Sequence, residues 1–286
     1  MSVKFGPAGN SDRFSAKFKS SLEAPAWLAE IGLDCYEYQC GKGVNVGEET
    51  ARKLGENARK AEIALSLHAP YFINLANGET VDKTAGYVLS ACQAADWMGA
   101  SRVVIHTGAL MKRSREEAQR VAMKVLPQII ARCDAAGYGH IHLCPETMGK
   151  INQLGNLEEV LELCTLDERL LPCVDFGHLY ARSLGTDQGP EATARMLDRM
   201  VQILGEERAS RFHSHFSKIE FTLNGGEKCH RTFEDSGGYG PEPEPLMAEL
   251  ARRGWSPTII CESAGTQTED ALTMKAAYRT FMEEMK

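Results

Sequence analysis

The sequence of 286 residues predicts an α/β fold, namely a single (β/α)8 TIM barrel with a parallel eight-stranded core. Three observations support this prediction. Eight short, apolar, β-prone runs alternate with helical patterns along the chain, as in the βαβ units of a parallel sheet. Their mean spacing of about 36 residues allows eight units, close to the roughly 250 residues of one barrel. Six runs stop at residue types that bind metal ions, and only a closed barrel brings such strand ends together.

The predicted elements follow one another along a single domain spanning 1–286. Strands are predicted at residues 3–6, 33–39, 63–68, 102–106, 140–146, 171–175, 211–215 and 258–262. Helices are predicted between them at 48–62, 83–100, 114–137, 157–164, 191–205 and 244–254. Several of these end in Gly, a common helix stop, and Ser114 followed by acidic residues is typical of a helix N-terminus.

One long segment, at about 216–245, has no clear period and follows the seventh strand. A loop of this length inside a compact domain is usually functional or disordered. Its Lys, His, Arg and aromatic residues favour a functional loop.

The composition is that of a globular protein, with 43% hydrophobic and 25% charged residues. No apolar run approaches the roughly 18 residues that cross a bilayer, and the N-terminus has no signal-like segment, so we expect a cytoplasmic protein without membrane contact. Nine scattered cysteines predict buried thiols and no disulfide framework. The net charge of −7 argues mildly against strong non-specific binding of nucleic acid, although bound metal ions can reverse the local charge of a cleft.

The residues at the strand ends are imidazoles and carboxylates, which together bind zinc, manganese or iron. Two or three ions about 3.5–4 Å apart, bridged by a carboxylate, serve phosphoryl transfer, whereas one ion would serve sugar isomerisation. A lone strand-end His is more often structural, but the agreement of six strand ends favours a metal centre. The candidate ligands are His68, His106, Glu146, Asp175, His178, His213, His215, His230 and Glu262.

Other polar residues near these strand ends allow two interpretations. The segment HAPYFINLA leaves the third strand by an extended turn, so Tyr71 and Asn74 can point at a bound ligand. Alternatively, its aromatic and apolar residues cap the barrel. His140 and His142 lie near the start of the fifth strand, away from the ligand-bearing end, and are interpreted as structural.

Two segments carry a resemblance to a known family. HAPYFINLA (68–76) and CVDFGH (173–178) are similar to two motifs of the type-2 apurinic/apyrimidinic endonuclease family, the endonuclease IV-like branch of the xylose-isomerase-like TIM barrels. The resemblance extends over the whole chain, with matching strand ends at His106, Glu146 and Glu262. It implies Zn²⁺, with Mn²⁺ or Fe²⁺ as alternatives. A first ion would be bound by His68, His106 and Glu146.

The resemblance also implies a second ion, and here a third family motif is altered. The family has His-x-Asn-Asp-x-Lys at the seventh strand, where this chain has HSHFSK (213–218). The change leaves His213 and His215 both open as the ligand. The other ligands of this ion would be Glu146, Asp175 and Glu262.

A third ion is implied at His178 and at an Asp-x-His pair in the loop after the seventh strand. In place of the family's Asp-x-His-His, this chain has EKCH (227–230). Glu227 would then pair with Cys229 or, after a local shift, with His230. We favour His230, because a Cys would be out of keeping with imidazole and carboxylate ligands.

These features predict a zinc-dependent phosphodiester hydrolase with two or three ions, a monomer that repairs double-stranded DNA by cleaving 5′ to abasic sites. By the resemblance, a hydroxide bridging two ions and oriented by Glu146 would attack the phosphorus, and the third ion would neutralise the departing 3′ oxygen. The candidates for phosphate or sugar contacts are Tyr71, Asn74, Lys218 and Arg231.

The alternative function is a metal-dependent sugar isomerase or epimerase of the same barrel superfamily. It would use one ion, with Glu146 and Glu262 as paired acid and base on a ketose. Glu37, expected at a rim position suited to a sugar hydroxyl, favours this alternative. The number of bound ions separates the two functions.

Overall fold

The computed structural model describes residues 2–285 and contains the predicted barrel. Strands β8 (Lys218–Thr222) and β9 (Gly226–Arg231) form a separate antiparallel hairpin. The barrel strands are β1 (Lys4–Pro7), β2 (Cys35–Gln39), β3 (Ala64–His68), β4 (Arg102–His106), β5 (His142–Glu146), β6 (Cys173–Asp175), β7 (His213–Phe216) and β10 (Thr258–Cys261). They are parallel and adjacent in chain order from β2 to β7, followed by β10 and β1. The predicted fold class is confirmed.

Strands β1 and β2 close the barrel. The amide of Asp34 donates to the carbonyl of Phe5 at 2.8 Å, and the amide of Gly9 donates to the carbonyl of Glu37 at 2.9 Å. Residue 6 must be small, because a Cβ there would lie 1.9 Å from a backbone oxygen of β2. Closure directs the carboxyl ends of all eight strands to one rim.

Helices surround the barrel between successive strands. They are α1 (Asp12–Lys17), α2 (Ala24–Glu30), α3 (Glu48–Lys60), α4 (Val81–Met98), α5 (Arg115–Ala135), α6 (Leu157–Cys164), α7 (Phe176–Arg182), α8 (Gly189–Leu204), α9 (Glu206–Ala209), α10 (Glu244–Arg253) and α11 (Gln267–Glu284). The six predicted helices correspond to α3, α4, α5, α6, α8 and α10. Capping boxes begin α5 and α6, where Ser114 and Asn156 are the N-caps.

Helix α7 is not among the predicted helices, and it matters for the site. It follows β6 without a connecting loop, because the Asp175 side chain accepts a hydrogen bond from the amide of His178 at 2.7 Å and so caps the helix. His178 therefore lies in the first turn of a helix, next to the rim.

The segment predicted as a loop at about 216–245 contains the β8–β9 hairpin, which corrects the prediction of an irregular segment there. β8 (KIEFT) has only two apolar residues and β9 (GEKCHR) is mostly polar, so neither strand has the apolar run that reveals the barrel strands. The hairpin is fixed to the β5–α6 loop, where the amide of Glu227 donates to the carbonyl of Gly149 at 3.1 Å. Within residues 2–285, no helix has the length and apolar character of a bilayer-crossing segment.

Candidate metal centre

Three strand ends form the first cluster. His68 ends β3, His106 ends β4 and Glu146 ends β5, and their ligand atoms lie within 4.8 Å of one another. The Nε2 atoms of His68 and His106 lie 3.4 and 3.2 Å from Oε2 of Glu146. The Nδ1 atom of His68 lies 2.7 Å from the carbonyl oxygen of Ala69. A hydrogen bond there keeps the proton on Nδ1 and leaves the Nε2 lone pair for an ion.

A second cluster shares Glu146 with the first. It consists of Glu146, Asp175, His215 and Glu262, with ligand atoms again within 4.8 Å of one another. The Nδ1 atom of His215 lies 2.9 Å from Oε1 of Glu146 and 3.6 Å from Oε2 of Glu262. Glu146 is thus shared by the two clusters, and its two oxygens would be available to an ion in each.

His213 lies on the same face of β7 as His215 but two residues lower, about 7 Å along the strand. Its Nε2 atom lies 2.9 Å from Oε2 of Glu37, and its Nδ1 atom lies 3.5 Å from Nη1 of Arg102. His213 also lies near Cys173 and His215. Burial raises the pKa of the Cys173 thiol well above its usual value, which disfavours the thiolate form that binds metal ions. Of the two histidines left open by the altered motif, His215 is the one that meets the carboxylates of the second cluster.

The third cluster joins α7 to the β8–β9 hairpin. It consists of His178, Glu227 and His230, with ligand atoms within 4.8 Å of one another. Nε2 of His178 lies 3.5 Å from Oε2 of Glu227. Gly149 passes between the two elements, since a Cβ at this residue would lie 2.6 Å from the Cβ of Glu227 and 2.9 Å from Cδ2 of His178.

Glu227 and His230 both lie on β9 and belong to this cluster together, the combination favoured from the sequence. The thiol of Cys229 turns away and donates to the carboxylate of Glu220 at 3.5 Å. Nδ1 of His230 lies 2.8 Å from Oγ of Ser217. Each imidazole of this cluster is therefore held by its Nδ1 atom, because Nδ1 of His178 also lies 2.8 Å from a backbone carbonyl oxygen.

The electrostatics of these clusters fit cations. Burial lowers the pKa of His178, but the charges of Asp175 and Glu227 outweigh it and raise that pKa to about 9. Burial also lowers the pKa of His68, and the hydrogen bond and charge of Glu146 raise it to about 9. Carboxylates therefore hold protons on imidazoles when no ion is bound.

Two carboxylate oxygens provide a further test of the fit. Oε2 of Glu146 and Oδ2 of Asp175 are buried and have no hydrogen-bond partner among residues 2–285. A buried charged oxygen without a donor is costly unless it binds a cation. The clusters therefore have the donor types, spacing and unfilled acceptor capacity that divalent transition metals require.

The clusters face a cleft of about 290 Å³ at the rim. Tyr71 lines this cleft with 52% of its surface exposed, and its contact to a bound ligand stays a prediction. Sequence reasoning missed Lys150, which also lines the cleft. No strand-end signal marks it, because it lies in the β5–α6 loop. The other non-ligand residues lining the cleft are Gln39, Gly41, Met148 and Gln153.

Three predicted substrate contacts do not line this cleft. The Asn74 amide is engaged by the backbone, accepting one N–H at 2.9 Å and donating to a carbonyl at 3.3 Å. Nζ of Lys218 lies 2.8 Å from Oε1 of Glu242, and Arg231 pairs with Glu220. These cations are therefore engaged by carboxylates of their own rim segment.

Two more expectations concern residues away from the rim. Glu37 was expected at the rim but is fully buried beneath it, because the interior face of β2 points into the barrel. His140 and His142, interpreted as structural, lie outside the clusters. His140 pairs with Asp96 at 3.2 Å, and Nδ1 of His142 lies 2.7 Å from the carbonyl oxygen of Arg169.

A family model described as xylose isomerase-like TIM barrel matches residues 25–284. The chain belongs to the xylose isomerase-like TIM barrel family. This family assignment confirms the resemblance inferred from residues 68–76 and 173–178. It also agrees with the parallel barrel and with ligands placed at strand ends.

Relatives within the xylose isomerase-like barrels carry different names. An uncharacterized protein of Methanocaldococcus jannaschii is 32% identical over 273 residues, 95% of each chain. A probable endonuclease 4 of Shouchella clausii is 26% identical over 216 residues, 71% of each chain. The crystal structure of a D-tagatose 3-epimerase-like protein has a TM-score of 0.69 and 19% identity, covering 99% of this chain and 98% of that one. The shared barrel alone therefore does not select a reaction, and the site must.

Proposed function

We propose that this xylose isomerase-like TIM barrel is a zinc-dependent phosphodiester hydrolase that cleaves DNA 5′ to abasic sites. The observation that carries the proposal is the presence of three ligand clusters around one cleft. A one-ion sugar enzyme needs only the second cluster. In such an enzyme, five further residues of ligand type would have no ion to bind, namely His68, His106, His178, Glu227 and His230.

Divalent ions bound at such clusters activate a water for attack on phosphorus and neutralise the leaving oxygen. The chain's own residues would orient the substrate. Lys150 supplies a cation to the cleft for a phosphate, and the exposed ring of Tyr71 offers a surface for the sugar at an abasic position. The similarity to the probable endonuclease 4 of Shouchella clausii supports the same substrate class.

The test combines metal content with cleavage. We expect purified protein to bind two or three equivalents of zinc by elemental analysis and to nick a duplex that carries one abasic site, leaving a 3′ hydroxyl. The same duplex with an intact base is the control and should stay whole. Protein with fewer than two equivalents, or fully loaded protein that leaves the abasic duplex intact, would contradict the proposal.

A second candidate function is a sugar epimerase or isomerase that uses the second cluster with Glu146 and Glu262 as acid and base. Two observations favour it. The second cluster is complete in itself, and the predicted phosphate-binding residues Lys218 and Arg231 are engaged by carboxylates. Exchange of solvent deuterium into ketoses would support this candidate, particularly if the His178→Ala variant retained the full exchange rate.

A further inference from the structure

A carboxylate lies one layer beneath the metal clusters, outside every ligand group. Glu37 sits in the middle of β2 and is completely buried. Within residues 2–285, no Lys or Arg side-chain nitrogen lies within 4.0 Å of its oxygens. A buried carboxylate without a cation usually needs several hydrogen bonds to persist.

Two imidazoles, one hydroxyl and one amide meet this carboxylate, the amide being that of Gln39, whose Nε2 donates to Oε1 at 3.2 Å. Nε2 of His215 lies 2.9 Å from Oε1, and Nε2 of His213 lies 2.9 Å from Oε2. Oγ of Ser66 donates to Oε2 at 2.9 Å. Both histidines come from β7, two residues apart on one face, so a single carboxylate spans both rings.

The two histidines differ in what lies beyond them. His215 points Nδ1 at Glu146 and Glu262, the carboxylates of the second cluster. His213 points Nδ1 at Nη1 of Arg102, 3.5 Å away, and reaches no carboxylate of the cluster. His213 therefore sits between two fixed charges, while His215 connects Glu37 to the candidate ion.

We propose that Glu37 is a positioning residue that orients His215 for the second-cluster ion, and that His213 is a structural partner of Glu37 with no ligand role. The negative charge of Glu37, 2.9 Å from Nε2 of His215, favours the proton on that nitrogen, so that the Nδ1 lone pair faces the ion. This assignment rests on the metal-dependent part of the proposed function. It accounts for the second histidine of HSHFSK without a fourth ion.

The test compares Glu37→Gln with Ser66→Ala, which removes one donor from the same carboxylate and leaves its charge beside both imidazoles. Zinc affinity is measured by chelator competition, and the fraction of folded protein is measured in the same samples. Glu37→Gln should weaken one ion by about 10–100-fold and leave the others unchanged. Ser66→Ala should change the affinity for each ion by less than about threefold, because the hydrogen bond that it removes does not involve an imidazole.

Imidazole nitrogen chemical shifts provide a readout that a purely structural role would not move. In zinc-loaded wild type, His215 should show a protonated Nε2 and a metal-bound Nδ1, and Glu37→Gln should alter this pattern. His213→Gln keeps the Glu37 charge and should preserve zinc affinity within about threefold, because His213 is not a ligand. A His213→Gln variant that loses one ion would overturn the assignment.

Other outcomes separate this inference from the proposed function. Folded Glu37→Gln with wild-type affinity for every ion would overturn the inference and leave the hydrolase proposal intact. Wild type without bound zinc would overturn both. If Glu37→Gln does not fold, Glu37→Asp serves instead. Asp keeps the negative charge, but its side chain is one methylene shorter and holds the carboxylate farther from the imidazoles. Unchanged zinc affinity in that variant would also overturn the inference.

Discussion

The first and second clusters differ from the third in what positions their ligands. In the first two, ligands come from adjacent strands of one closed sheet, where His106 is the register partner of Glu146 and Asp175 that of His215. In the third, Glu227 and His230 come from a hairpin outside the barrel, and only His178 follows a barrel strand. Barrel closure fixes the first two, whereas the third depends on how the hairpin docks.

This difference implies that the third cluster can be changed while the barrel and the other two clusters remain intact. The hairpin meets the β5–α6 loop through a few backbone contacts and through the close approach at Gly149. The strand-end clusters are part of the barrel itself. Substitutions in the two regions should therefore distinguish effects on the number of bound metal ions from effects on the stability of the fold.

The largest effect is expected at the residue that joins the first two clusters. Glu146→Gln removes the charge that both clusters share, so we expect loss of at least one zinc equivalent and a fall in abasic-site cleavage of about 10³-fold or more. Elemental analysis and a nicking assay measure this. Glu242→Gln, which changes an exposed carboxylate outside the clusters, is the control and should keep full metal content.

The next largest effect tests the independence of the third cluster. His178→Ala should lower the zinc content by one equivalent and reduce cleavage about 100-fold, because one of the ions that share the transition-state charge is lost. The remaining ions should bind with unchanged affinity. Loss of all ions together would mean that the hairpin and strand-end regions form one unit, contrary to the comparison above.

Sequence reasoning recovered the strand-end region better than the hairpin region. His68, His106 and Glu146 each end an apolar, β-prone run. This local pattern is enough to predict that the three residues lie close together, because strand ends converge in any closed barrel. The choice between His213 and His215 could not be made, since both lie on the same strand face. Only the depth of each ring relative to the rim separates them.

The hairpin region has no comparable local signal. Opposite Glu220 and Phe221, a β-bulge adds one residue to β9 and so allows Glu227 and His230, three residues apart, to face the same side. A short polar strand gives no sequence signal for such a bulge. The engagement of Lys218 by Glu242 is likewise tertiary, because the β8–β9 hairpin separates the two residues within the same segment. Composition therefore indicated a functional segment but not which cations remain free.

A smaller effect is expected from crowding the hairpin contact. Gly149→Ala places a methyl group where the Cβ of Glu227 and the ring of His178 already lie, so the third ion should bind about tenfold more weakly. Isothermal titration of the third zinc equivalent measures this. Gly86→Ala, at a helical site with no neighbour within 4 Å, is the matched control and should bind all ions normally.

The smallest effect concerns pH and applies to both regions. In the metal-free protein, the pKa values of His68 and His178 are raised from 6.5 to about 9. A raised folded-state pKa stabilises the fold fully below the unfolded value, and this contribution is lost as pH rises through the folded value. The melting temperature of metal-free protein should therefore fall between pH 6.5 and 9.

Zinc should reverse this trend, because it binds neutral imidazoles and its binding releases their protons. Thermal scans of zinc-loaded protein should show the gain in melting temperature due to zinc increasing from pH 6.5 to 9. In His178→Ala, the fall in the metal-free protein should become smaller while the part due to His68 remains. A metal-free melting temperature that rises over this interval would contradict the assigned ionisation states.

The buried oxygens of Glu146 and Asp175 that lack hydrogen-bond donors have a consequence for the lifetime of the protein in a cell. Without ions, these oxygens would lack a donor even with the neighbouring imidazoles protonated, and the stabilisation that bound ions give the folded state would be lost, so the unfolded fraction would rise and proteases would remove more copies. The supply of metal would then influence abundance through turnover. A cell starved of the metal would lose the protein along with its activity, without any dedicated repressor or degradation tag.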